Sequence, residues 1–282
     1  MMAGSFQTAG ASARAAYQSF SWREYAPLLP ILAAQWLFLV CGLNLGSAWG
    51  MAVAGNIARS IVGNAAFDYP GFLDLLPLTF SYVESATFIV LGAFALPFLI
   101  SRVSTGLKSS RRGASKPGAR IRGAFLPTFL ALAGAFAVTY AWQLFVSRGL
   151  HSLVGAVLQG GFSSAVATWV VSVAVGYAIT TMLMYVPVVA VLEDVNTGQA
   201  LQRGFSEGIQ RFATTYPFVL LLSLPPLLLQ LVVQIGGSIL SERTRPENIA
   251  YLLLLYVVLS TVSTYFAWSM ATRYYHSHAE AA

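Results

Sequence analysis

The sequence predicts an all-α fold, a polytopic membrane bundle of six spans, and three observations predict it. Hydrophobic residues make up 57% of the 282-residue chain and charged residues only 9%, against about 25% charged in soluble domains. Six apolar stretches are each long enough for a helix to cross the hydrocarbon core, which takes about 20 residues. The basic residues gather between those stretches. Arg102, Lys108, Arg111, Arg112, Lys116, Arg120 and Arg122 form a run with no acid among them.

The spans are expected at about 27–52, 77–101, 123–147, 164–192, 214–236 and 249–272. They make 27–272 one membrane domain, with an amino-terminal segment 1–26 and a tail 273–282. The first 26 residues are polar to mixed, so an uncleaved first span is expected rather than a signal peptide. Twelve of the 16 basic residues fall on one side of the six spans; Arg59, Arg148, Arg243 and Arg245 fall on the other. The positive-inside rule then places both termini in the cytoplasm. Trp22, Tyr25, Tyr274 and Tyr275 stand where interfacial aromatic anchors belong.

Between spans the chain is short. The inner loop 102–122 is rich in Gly, Ser and Pro and is expected to be disordered or held by anionic lipid. The outer stretch "NAAFDYPGFLDLLP" is expected to form a short interfacial helix. At 196–211, Leu201, Phe205 and Ile209 recur every four residues, with Arg203, Glu207 and Arg211 on another face. That pattern predicts an amphipathic helix along the inner surface. "ASARAAYQSF", "GARIRGAFLP" and "GQALQRGFSE" each place Arg just before a span. Either three repeated hairpins or the positive-inside bias alone produces this.

Several residues within the spans are candidates for chemistry, and each has a structural reading beside it. Glu84 is read as the one acid clearly inside a span. It is either a proton or cation site or a carboxyl bonded to Tyr82 or a facing polar group. Gly42, Gly46, Gly50 and Ala54 recur every four residues and predict a close-packing helix face. Pro225 and Pro226 each remove a backbone donor and are expected to break or kink the fifth span. A cavity at that break is the functional alternative. Gln230 and Gln234 share a helical face, and amides of this kind mostly bond across helices.

No phosphate-binding loop, HExxH or nucleophile-elbow motif is present. His151, His276 and His278 lie outside the spans, and Cys41 is the single cysteine. No metal, cofactor, nucleic-acid partner or enzymatic activity is expected.

The segment "YVPVVAVLEDVNTGQALQRGFSEGIQRF", from Tyr185 to Phe212, resembles a pattern in bacterial six-span integral membrane proteins. These are similar to the membrane domain fused to some glycerophosphodiester phosphodiesterases. The matching residues are Pro187, Val188, Val189, Glu193, Ala200, Leu201 and Arg203. The acid stands one or two positions later than in that pattern, and Asp194 follows it where a small residue is usual. The resemblance implies the six-helix fold, a bacterial inner membrane and no activity. On the residues alone, Pro187 lets the chain turn at the end of the fourth span. Glu193 or Asp194 is expected to open the surface helix, and Glu193 to pair with Arg203 or the basic loop.

The functional expectation is a non-catalytic accessory, scaffolding or lipid-organising protein whose partners are anionic lipids and a membrane protein. The alternative is a small-solute transporter or channel using Glu84, Pro225, Pro226, Gln230 and Gln234.

Overall fold

The computed structural model describes residues 2–44, 47–63, 72–108, 117–145, 161–193, 195–243 and 247–279, and the described residues contain no strand. Six helical segments among them are long and apolar enough to cross a membrane. They are Trp22–Leu43, Leu75–Leu107, Ile121–Phe145, Trp169–Leu192, Phe212–Val233 and Glu247–His278. The helices pack as two compact units. One comprises Met1–Pro27, Gly92–Leu222 and Tyr265–Ala282, and the other Leu28–Leu91 and Ser223–Thr264.

The first span is shorter than expected. After α1 (Met2–Gln18) and the single turn α2 (Trp22–Tyr25), α3 (Leu29–Leu43) ends at Asn44. The Asn44 amide donates to the Val40 carbonyl at 3.0 Å, and the Ser47 hydroxyl accepts from the Gly50 amide at 3.1 Å. Short polar side chains that offer the backbone such partners end a helix and start another. The restart comprises α4 (Ala48–Gly50), a π-helical stretch Met51–Gly55 and α5 (Asn56–Val62). Gly42, Gly50 and Ala54 therefore share no continuous helix face, and Gly46 lies outside the described residues. Gly50 instead permits a tight return of the chain, since a Cβ there would stand 2.1 Å from the Asn44 carbonyl oxygen.

The second span lies in α6 (Phe72–Lys108), whose 37 residues extend about 55 Å at 1.5 Å each. It is followed by α7 (Pro117–Phe145). Both helices reach into the expected inner loop. Arg102 and Lys108 stand on α6 and Arg120 and Arg122 on α7, while Arg111, Arg112 and Lys116 lie outside the described residues. Most of the expected outer interfacial helix also lies outside them, although its end from Phe72 belongs to α6.

The fourth span is split into α8 (Gly161–Leu183) and α9 (Tyr185–Leu192) at Met184, ahead of Pro187 rather than at it. A proline N has no proton to donate four residues back, to Leu183. Next comes α10 (Thr197–Gln210), which is opened by Asn196 and not by an acid. The Asn196 side chain accepts from the Gln199 amide at 2.9 Å, and Glu193 closes α9. The buried face of α10 is Ala200, Gly204 and Gly208, while Phe205 and Ile209 face outward. The close-packing stripe expected in the first span is thus found here.

The fifth span lies in α11 (Phe212–Arg243), which continues unbroken as helix through Pro225 and Pro226, correcting the expected break. Neighbouring groups within a membrane bundle can satisfy the freed carbonyls. The sixth lies in α12 (Glu247–Ala279), so residues 273–279 of the expected tail are helical.

The second unit has an apolar core that includes Phe38, Cys41, Ala54, Ala58, Leu76, Phe80, Val233, Leu253 and Val257. With lipid outside, close van der Waals packing rather than escape from water holds such a core together.

Candidate functional site

Glu84 belongs to the second unit. Its Oε1 accepts a hydrogen bond from the Tyr256 hydroxyl at 2.8 Å, and the Phe80 ring meets Tyr256 edge-on. The facing polar group bonded to this carboxyl is thus Tyr256, on α12. Gln35, buried, donates to Thr87 at 3.2 Å and ties α3 to α6. Gln230 is half-buried and Pro225 exposed on α11, while the Gln234 side chain lies outside the described residues. Among the described residues, no hydrogen bond joins Gln230 to Glu84.

The first unit holds a denser set of polar contacts, clustered where α9, α10 and the end of α12 meet. Glu193 pairs with Arg203 at 3.0 Å and accepts a hydrogen bond from the Tyr275 hydroxyl. Arg203 is largely exposed, so the ion pair itself contributes little, about 0–1 kcal/mol. The tyrosine attaches the pair to α12.

Arg211 stands at the corner between α10 and α11. Its Nε donates to Glu207 at 2.6 Å, one turn earlier. Its guanidinium carbon lies over three tyrosine rings, 5.7 Å from the centroid of Tyr185, 5.4 Å from Tyr274 and 5.0 Å from Tyr275. Nη1 is enclosed with no hydrogen-bond partner among the described residues. The negative faces of the rings stabilise the cation in place of an acceptor, an interaction of about 2 kcal/mol when desolvated. The cage is fastened by the Tyr185 hydroxyl, 2.8 Å from that of Thr215.

A third group surrounds Glu24. Its carboxylate accepts from the Tyr265 hydroxyl at 2.8 Å and lies 4.0 Å from Arg273. Arg273 in turn donates to Ser19 at 2.6 Å. Glu24 is the third residue of the first span, Trp22–Leu43, and so stands at its end, as Glu247 does at the start of the sixth.

These contacts use tyrosines that the sequence reading assigned to interfacial anchoring. Tyr25, Tyr274 and Tyr275 are buried, and of that set only Trp22 is exposed, at 71%. Tyr185, Tyr256 and Tyr265 were missed. Their spacing carries no signal, because their partners come from segments 30 to more than 200 residues away. The pairing of Glu193 with Arg203 was legible, being separated by ten residues and one turn of chain. Arg102 and Arg122 are exposed on their helices, and Arg102 Nη1 donates to the Arg23 carbonyl.

The fold and these contacts define a class, an all-α polytopic membrane protein in which Glu24, Glu84, Glu193 and Glu207 are engaged by its own tyrosines and arginines. Comparison with known protein families, curated proteins and solved structures finds no match to this chain.

Proposed function

We propose that the protein is a non-catalytic component of a bacterial inner membrane, with both termini cytoplasmic, that organises lipid or scaffolds a partner protein. One observation carries this reading. Glu24, Glu84, Glu193 and Glu207 are each bonded to a tyrosine or arginine of the chain itself. Such internal contacts tie helices to one another and satisfy these carboxylates without a solute. The resemblance of the segment from Tyr185 to Phe212 to bacterial six-span membrane domains without a phosphodiesterase site supports the same reading.

Native mass spectrometry of the protein extracted from its own membrane in a lipid-preserving polymer tests it. The expected result is a fixed stoichiometry of a second protein or of anionic lipid. A lone chain carrying a small polar solute, with neither partner nor anionic lipid, overturns the proposal.

A further inference from the structure

The amino-terminal segment, read from sequence as a polar lead-in, forms the 17-residue helix α1, which is not among the spans. One of its faces is packed. Ala9, Ser12 and Ala16 are buried, and a Cβ at Gly10 would meet the Phe218 ring at 3.6 Å. The Tyr17 ring lies 5.8 Å from that of Phe266, and Ser19 bonds Arg273. These contacts fasten α1 to α11 and α12. Phe6 and Arg14 are exposed on α1, and Tyr17, which meets Phe266 along one edge, is 73% exposed.

The chain then passes through Phe20, stacked edge-on against Trp22, to the exposed Trp22 and Arg23 at the start of the first span. Arg102 reaches the same place, because its guanidinium bonds the Arg23 carbonyl. Arg203, Arg211 and Arg273 are ion-paired with Glu193, Glu207 and Glu24, and Arg14, Arg23 and Arg102 take no part in these pairs.

We propose that α1 is an in-plane interfacial helix and that Arg14, Arg23 and Arg102 bind the phosphates of anionic phospholipid headgroups. Three features select a lipid surface as the occupant. Trp22 opens the first span, which holds this surface at the boundary of the bilayer. Tyr17 and Trp22 have the amphipathic rings that settle at headgroup level. Guanidinium groups match phosphate oxygens in a two-pronged geometry. The inference gives the lipid-organising reading a definite site, yet it stands apart from it. Solute transport by the protein would overturn that reading and leave this binding in place.

The test is competition between phosphatidylglycerol and phosphatidylcholine for the full-length protein in detergent, with retained lipid counted by mass spectrometry. The wild-type protein is expected to enrich phosphatidylglycerol. The R14Q/R23Q/R102Q variant is expected to lose at least about tenfold of that enrichment, each base being attracted to an anionic surface. Arg59→Gln, in α5, is expected to change nothing. Raising the salt concentration weakens the wild-type preference and reads the same claim without a substitution. No preference in the wild-type protein overturns the proposal and leaves the surface to an acidic protein partner. An equal loss in Arg59→Gln also overturns it, as does a salt-independent preference.

Discussion

Gly208→Ala is expected to lower the thermal midpoint of the purified protein sharply, and the G204A/G208A double variant to fail to accumulate in folded form. A Cβ on Gly208 would stand 1.9 Å from the Met182 carbonyl oxygen, and one on Gly204 2.4 Å from the Val186 Cα. Both obstacles are backbone, so no side-chain rotation relieves them and α10 must move away from α8 and α9. Overpacking of this kind costs about 1–3 kcal/mol per site. Moving the helix would also strain the contacts of Arg203 and Arg211. Gly123→Ala serves as the reference, since a Cβ there meets nothing within 4 Å. Inside α7, at its seventh residue, it is expected to be neutral or to stabilise by up to about 1 kcal/mol. Equal midpoints for Gly208→Ala and Gly123→Ala would contradict the docking of α10 through its glycines.

The second large effect is expected at Arg211. Arg211→Met removes the cation from three tyrosine rings and leaves Glu207, whose side chain is 28% exposed, without its partner. Breaking a mostly buried pair from one side costs about 3 kcal/mol, and the lost ring contacts add to that. Arg211→Lys keeps the charge but not the planar fork, so it should fall between the two. Arg203→Gln removes an arginine that is 59% exposed and should cost at most about 1 kcal/mol. If thermal unfolding ranks Arg203→Gln with Arg211→Met, the caged arginine is not the fastening point described above.

The six spans were legible because the signal is local: apolar length and flanking charge are properties of a short window. The amphipathic helix was legible for the same reason, but the small-residue face that docks it, Ala200, Gly204 and Gly208, was not. Leu201, Phe205 and Ile209 marked the apolar side, and in a soluble protein that side packs inward. Next to a bilayer it can face lipid, and the glycines make the protein contact instead. The stripe from Gly42 to Ala54 has the same spacing but is cut by Asn44 and Ser47, whose side chains bond the local backbone. Helix ends beyond the apolar windows were missed, because a helix that leaves the membrane needs no apolar residues. Helix α1 escaped notice because alanine and serine form its buried face, with no large apolar residue to mark a period.

Of the candidate site, Glu84 was legible as an acid in an apolar run. Its partner Tyr256 was not, since 172 positions separate them. The same holds for Tyr275, which reaches Glu193 across 82 positions. Pro225 and Pro226 were read from chemistry that holds for an isolated helix. In the folded chain α11 continues through them.

Whether the protein moves a solute is read from flux across liposomes reconstituted with it in purified form. Protons, monovalent cations and a panel of small polar solutes would be followed with and without an imposed gradient. Leakage equal to that of empty liposomes is expected for the wild-type protein and for Glu84→Gln alike, with the substitution altering thermal stability alone. Saturable flux in the wild-type protein that disappears in Glu84→Gln would contradict that expectation and make the bonded carboxyl of Glu84 part of a transport path.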